Sequence, residues 1–311
     1  MDQHCTCPPY VLITPAHNEE RFIEKTIESV IHQTARPLKW VIVDDGSTDR
    51  TADIVNRYLV WHPWMEMVQM PQRRKRNYVG KLEAANAGYE RVNGLQYEII
   101  GFTDADISFE KDHFEFLLRK FSEDPTLGAA GTVFREEGYS SESDSFGGYN
   151  HIAGACQLFR KRCLEEIGGL IQHEVGGGDT IVVTTARMMG WKTRSFRGRS
   201  FFHRRRLGTA QHNVLAAKFS CGELDYRLGG HLVWELFRVA YRTSKPPYIA
   251  GGLAIGLGYC WALVRCKPRS VSRELMAFRR REQMAKLKAI LKSLLKFKLL
   301  DKYDGQTNYS G

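Results

Sequence analysis

The sequence predicts an α/β fold: a mostly parallel central sheet with helices on both faces, followed by a helical C-terminal segment. Three observations predict it. Through the first half, short apolar runs rich in Val and Ile alternate with stretches of helical spacing. Two of those runs end in clustered acids, where an open sheet gathers ligands beyond its strand ends. Past residue 230 the strand-like runs stop, and an uncharged stretch is followed by a strongly basic one.

The elements follow in order. "YVLITPA" (10–16) is a strand, and "ERFIEKTIESVIHQ" a helix with Ile23, Ile27, Val30 and Ile31 on one face. "LKWVIVDD" is a second strand, "TADIVNRYL" a second helix and "MEMVQM" a short third strand. "GKLEAANAGYERV" is a helix, and "YEIIGFTDAD" (97–106) a strand ending in acids. "KDHFEFLLRKFSED" is a helix and "LGAAGTVF" a strand. Residues 138–150 are rich in Gly and Ser and read as a loop. "RKRCLEEIGG" is a short helix stopped by glycines, and "GGGDTIVVTTARMMGWKTRSF" reads as loop, helix, strand.

The 311 residues, 43% hydrophobic and 26% charged, suffice for one large domain and an appendage, divided here at 1–230 and 231–311. Seven scattered cysteines argue against a disulfide framework and for a reducing compartment. "HCTC" (4–7) lacks the spacing and the second pair of a structural metal site. The N-terminus has no basic start followed by an apolar core, so no secretory leader is expected.

The net charge of +10 belongs to one segment: residues 265–302 hold thirteen Lys and Arg against three Asp and Glu, and the rest balances at 32 of each sign. "YIAGGLAIGLGYCWALV" (248–264) carries no charge and lies at the lower edge of a membrane span. Its Gly252 and Gly256 form a small-x-x-x-small pair. A basic helix follows, with Leu287, Ile290, Leu291, Leu294 and Leu295 on one side. The expected partner is an anionic membrane surface on the cytoplasmic side, with 231–311 peripheral or holding one short membrane segment, 248–264. A helix packed on the catalytic domain is the plainer alternative. Nucleic acid is not expected, because aromatics are not interleaved with the basic residues in a known reader motif.

Three acidic positions carry the chemistry. Asp44 and Asp45 end a buried strand before Gly46 and Ser47, which suits either a turn with Ser47 as helix cap or a ligand site. Asp104 and Asp106 are spaced by two, so in extended chain both carboxylates face one point and suit Mg2+ or Mn2+ on a pyrophosphate. Asp179 follows three glycines and opens an apolar helix, as a cap or as a general base. His203 and Arg204 to Arg206 could close over a pyrophosphate or, through His203, ligate the metal; a solvated basic loop is the alternative. The basic run 72–77 reads as surface near phosphates.

"VLITPAHNEERFIEKTIESVIHQ", "VIVDDGSTDRTADI", "GKLEAANAGYE", "TDADISF", "FRKRCLEEIGGL" and "GGGDT" occur in that order over residues 10–200. Together they resemble a family 2 glycosyltransferase of the GT-A (nucleotide-diphospho-sugar transferase) fold. The resemblance implies transfer of a sugar from a nucleotide diphosphate donor, UDP-linked, with inversion and with Mg2+ or Mn2+. It implies that Pro15, His17 and Glu19 line the nucleoside pocket, His17 standing where relatives often have Tyr. Asp45 would bond the base and Asp44 support the turn. Lys81, Asp104 and His203 would meet the donor, Asp104 and Asp106 would hold the metal, and Asp179 would be the catalytic base. Gly178 replaces the Glu found there in many relatives. A Gln-x-x-Arg-Trp motif and an array of membrane helices are missing, which favours transfer of one sugar over chain synthesis. The expected acceptor is lipid-linked or glycan, in surface polysaccharide or glycolipid synthesis. Alternatives are a polyprenyl-phosphate glycosyltransferase and, more distantly, a catalytically silent membrane-surface or nucleic-acid-binding protein.

Overall fold

The computed structural model describes residues 7–72, 78–142, 148–170, 176–205 and 214–295; His4, Cys5, the run 73–77 and Arg206 lie outside them. The chain divides into two compact units, one reaching Arg204, the other holding Arg205 onward with short pieces at Tyr149 and Gly176–Gly177.

The first unit contains, in order, β1 (Tyr10–Ala16), α1 (Ile23–Ile31), β2 (Lys39–Asp44), α2 (Thr51–Leu59), β3 (Met65–Gln69) and α3 (Tyr78–Val92). Then come β4 (Ile99–Thr103), β5 (Ile107–Phe109), α4 (His113–Glu123), β6 (Leu127–Glu136) and β7 (Tyr139–Ser140). The unit ends with β8 (Cys156–Arg160), α5 (Lys161–Glu166), α6 (Gly178–Met188) and β9 (Lys192–His203). The strands form one sheet in the order β3-β2-β1-β4-β8-β6-β9-β5, with β7 paired to β6.

This corrects the mostly parallel sheet read from the sequence. The β3-β2-β1-β4 half is parallel, as is β6-β9. β8 runs antiparallel between β4 and β6, and β5-β9 and β6-β7 are antiparallel too. The sheet is therefore mixed. The segment responsible, "CQLFR", is too short for periodicity to separate strand from helix.

Alternation along the strands buries both faces. Tyr10 and Leu12 face α1, α2 and α4 through Ile23, Ile27, Val30, Ile54, Phe114 and Leu117. Val11, Ile13, Val41 and Val43 face α3 and α6 through Ala84, Ala85, Val182 and Val183. Helices thus cover both faces, as expected. α3 lies close to the sheet: a Cβ on Gly88 would sit 2.6 Å from Ile13 Cγ2.

Strand order reverses at β1, which separates β2 from β4. A fully buried Thr14 holds the three strands together there. Its hydroxyl lies 2.6 Å from that of Thr103 on β4 and accepts from Trp40 Nε1 on β2 at 2.9 Å.

The second unit contains α7 (Val214–Arg227), α8 (Leu232–Thr243), α9 (Tyr248–Val264) and α10 (Arg273–Leu295). Glycines bring backbones together: a Cβ on Gly222 of α7 would lie 1.9 Å from the Ile255 carbonyl oxygen of α9, and one on Gly252 of α9 2.8 Å from that of Val239 on α8. The α7–α8 turn presents carbonyls that accept from Arg279, Arg280 and Tyr259 at 2.8, 2.9 and 3.0 Å. On α10, Leu287 is buried and Leu291 exposed; the side chains of Leu294 and Leu295 lie outside the described set. No helix among the described residues is long and apolar enough to cross a membrane.

Two outcomes are expected. Thr14→Val leaves Trp40 Nε1–H buried without its acceptor and should lower stability by roughly 1–3 kcal/mol in urea unfolding; Thr103→Val should cost less, because Trp40 keeps its partner. His113 is fully buried among Phe109, Phe114 and Phe201. Burial pushes its imidazole down to about 3, outweighing a bond with the Ser200 backbone. The unfolded chain binds that proton near pH ~6.5 and the folded chain only near 3. Stability from His113 is therefore complete above pH ~6.5 and lost as pH falls toward 3. Urea midpoints across that window should fall less steeply for His113→Leu than for the parent.

Candidate functional site

The carboxyl ends of β1, β2 and β4 open onto a cleft lined by Pro15, Ala16, His17, Asp45, Lys81, Asp104 and Ala105. It lies at the reversal in strand order, where an open sheet leaves a crevice between diverging connections. Five residues singled out in the sequence, Pro15, His17, Asp45, Lys81 and Asp104, meet there.

The β2 tip divides its two acids. Asp44 Oδ1 accepts from Ser47 N at 3.0 Å, closing a turn in which Gly46 takes φ 65°. Asp45, 3% exposed, is bound through its backbone: its N–H donates to Ala16 O at 2.8 Å, and its carbonyl lies 2.7 Å from His17 Nδ1. The His17 ring is thereby fixed over the cleft. Ser47 does not cap α2. Its hydroxyl accepts from Asn18 N at 2.9 Å, and Asn18 Oδ1 accepts from Thr48 N at 2.8 Å. Asp49 opens α2 instead, accepting from Thr51 N at 3.0 Å. Burial opposes its charge, yet hydrogen bonds from Thr51 and the backbone hold its carboxyl below the usual range. Glu19 is 1% exposed; its N–H donates to Thr51 Oγ1 at 2.8 Å and its carbonyl accepts from Phe22 and Ile23. It stands behind the lining rather than in it.

Asp104 and Asp106 converge for a reason other than the alternation inferred from the sequence. β4 ends at Thr103, and Asp104–Ala105–Asp106 form a turn into β5. β5 pairs with the end of β9, opposing Ile107 to His203, and Arg204 N donates to Asp106 O at 2.9 Å. His203 is consequently buried, 6% exposed, with Nε2 3.9 Å from Asp106 Oδ1. The solvated-loop reading therefore fails for His203, but it suits Arg204, which is exposed against the Phe202 ring.

One ligand atom from each of Asp104, Asp106 and His203 lies within 4.8 Å of the others. At metal–oxygen distances of about 2.1 Å, opposed ligands are about 4.2 Å apart, so the three are nearly at ligand spacing. Two carboxylates and an imidazole form a donor set that suits Mn2+. Lys81 Nζ donates to Asp104 Oδ1, setting a cation against the first acid.

Asp179 stands half-buried in the first turn of α6. Gly154 makes room for it: a Cβ there would lie 2.9 Å from Asp179 Oδ2 and from its Cβ. The next carbonyl, Ala155 O, accepts from Asp104 N at 2.8 Å. Asp179 is not in the cleft lining, but this segment connects it to the acidic turn. Gly154 has no motif around it, so only the packing reveals it.

The sequence model of the family described as "Glycosyl transferase family 2" matches residues 11–146. Hyaluronan synthase of Pasteurella multocida is 31% identical over 135 residues, 43% of this chain and 13% of that protein. The chain spans 13% to 44% of the length of the first curated relatives it matches. Among solved structures, mannosyltransferase PcManGT from Pyrobaculum calidifontis, in complex with GDP-Man and Mn2+, superposes with TM-score 0.57 at 21% identity, over 94% of this chain and 88% of that one. S. aureus TarS 1-349 in complex with UDP-GlcNAc superposes with TM-score 0.59 at 14% identity, over 93% and 92%. At these identities the structural likeness shows the fold, an α/β GT-A-like fold on a mixed sheet. The sequence matches together support a glycosyl transferase family 2 domain within residues 11–146.

Proposed function

We propose that this chain moves one sugar from a nucleotide diphosphate donor, a UDP-sugar, to a lipid-linked or glycan acceptor in surface polysaccharide or glycolipid synthesis, with inversion. The convergence of Asp104, Asp106 and His203 beside the cleft carries this reading. The relative named hyaluronan synthase, and neighbours whose ligands are GDP-Man with Mn2+ or UDP-GlcNAc, support it.

Each residue then has a task. Pro15 and the fixed His17 ring hold the nucleoside against the sheet edge, and the Asp45 carboxylate accepts from the base imide. Glu19 supports the loop from behind. Lys81 lies within reach of the donor's phosphates and of Asp104. Asp104, Asp106 and His203 would hold Mn2+ or Mg2+, which when bound supplies Lewis-acid neutralisation of charge growing on the leaving phosphate. Asp179 takes the proton of the acceptor hydroxyl as that oxygen attacks the anomeric carbon from the side opposite the phosphate. A single displacement with a base and no protein nucleophile inverts the centre.

Nucleotide release from a panel of sugar nucleotides, with and without Mn2+, tests this. Asp179→Asn should slow transfer by ~10²–10⁴-fold while Mn2+-dependent donor binding persists, and Asp106→Ala should abolish the metal-dependent release. Release that needs no metal, or that both variants match, would overturn the reading. The β2 tip gives a separate check by calorimetry and urea unfolding. Asp45→Ala should weaken UDP binding more than Asp44→Ala, whereas Asp44→Ala should cost about 1 kcal/mol of stability through its lost turn bond. The reverse order would mean the two acids are assigned the wrong way round.

A further inference from the structure

The second unit is built inside out. On α8 the buried face carries Trp234 and Glu235, with Arg238 mostly covered, while Leu232, Val233 and Leu236 are exposed, Leu236 by 62%. On α9 the inward face is small: Gly251, Gly252, Ile255, Gly258 and Ala262, with Tyr259. Its large residues point out. Ile249, Leu253, Leu257, Trp261 and Val264 recur at helical spacing along one face, 65%, 53%, 63%, 44% and 78% exposed.

The interior holds the charges. Asp225 is 4% exposed and pairs with Arg279 and, at 3.4 Å, with Arg238, which lies 3.5 Å from Glu235. Burial works against the Asp225 charge, and Arg279 and then Arg238 overcome it, holding its carboxyl below the usual range. Burial pushes Glu235 up to about 8. In water this arrangement is unfavourable on both counts, since buried ions lose hydration and exposed leucines order water. Scattered apolar residues on a surface are ordinary; a periodic stripe of the largest ones, set over an inward face of glycines, is not. Against hydrocarbon the exposed apolar stripe becomes favourable, and charges turned inward are kept from facing lipid.

The rim fits the same environment. Arg265 sits 4.5 Å over the Trp261 ring at the end of α9, and Lys245 lies 5.7 Å from the Tyr241 ring just before it. Cationic and aromatic groups of this kind sit at the headgroup level. Residues 231–295 hold thirteen Lys and Arg against three Glu; Arg238 and Arg279 are paired with Asp225 inside the unit, and the other eleven leave an excess complementary to anionic lipid. With 17 residues α9 is shorter than the ~20 that a span requires.

We propose that the exposed faces of α8 and α9 dock on an anionic lipid bilayer, with α9 lying in the plane of the headgroups and its large apolar side chains in the acyl boundary. The inference uses the second unit alone and is independent of sugar transfer. Flotation of the full chain with phosphatidylcholine vesicles containing phosphatidylglycerol, without donor or metal, tests it. The parent should float, and Leu253→Asp with Leu257→Asp should lower the bound fraction by at least ~10-fold with an unchanged circular dichroism spectrum. Brominated lipid should quench the parent's fluorescence more than that of Trp261→Phe, a change conservative enough to fold. Equal flotation by parent and double variant, or none by either, would overturn the proposal. So would a concentration-dependent dimer, seen by light scattering, that the double variant abolishes and that replaces vesicle binding; it would assign the face to a second copy.

Discussion

The buried hydroxyl of Thr14 is the contact on which the site depends. It joins β1 to Thr103 of β4 and to Trp40 of β2, the three strands whose ends carry the cleft. Each strand end projects a short loop, and none of those loops has a core of its own. Their mutual position is inherited from strand register: Ala16 opposite Asp44, Ile13 opposite Phe102. A slip of one residue would turn every side chain to the other face. The cross-loop bonds from Asn18, Glu19 and Ser47 then fix what the register has brought near. Rigidity at the strands and hydrogen bonding between loops together hold the polar groups in place before any ligand arrives.

Much of this was legible in the sequence, for identifiable reasons. The parallel half was readable because buried strands and one-sided helices have distinct periods, as "YVLITPA" against "IEKTIESVI" shows. The acids were readable because charge at the end of an apolar run is rare without a task. What escaped depends on pairing between distant segments. β8 is five residues long and β5 three, and neither has a pattern of its own. The convergence of Asp104 and Asp106 seemed to follow from strand alternation; it follows from a turn that is anchored by β9. The sequence leaves His203 open between ligand and solvated loop, and it becomes a buried neighbour of Asp106 only through that antiparallel pair. Ser47 does not cap α2, because its hydroxyl accepts from Asn18 N in the loop after β1.

The C-terminal helices illustrate a different limit. Composition showed apolar and basic segments side by side, yet it could not say which side chains would turn inward. The packing of α9 on α7 through Gly222 and Gly258 decides that, because backbone contact leaves no space for leucine on that side. The large residues are outside by exclusion, and Arg238 of α8 turns inward to Asp225 of α7, which also pairs with Arg279 of α10.

Gly154 gives the site a hidden dependence. Asp179 has its Cβ and one carboxylate oxygen against that glycine, so the space available to the acid is set by the absence of a side chain elsewhere in the chain. Lengthening the acid to Glu would need new room on a different side, and any side chain at 154 would push the carboxylate from its place. The two positions are therefore free to drift only together. In comparisons of divergent relatives, they should be read as one paired character and not as two independent columns.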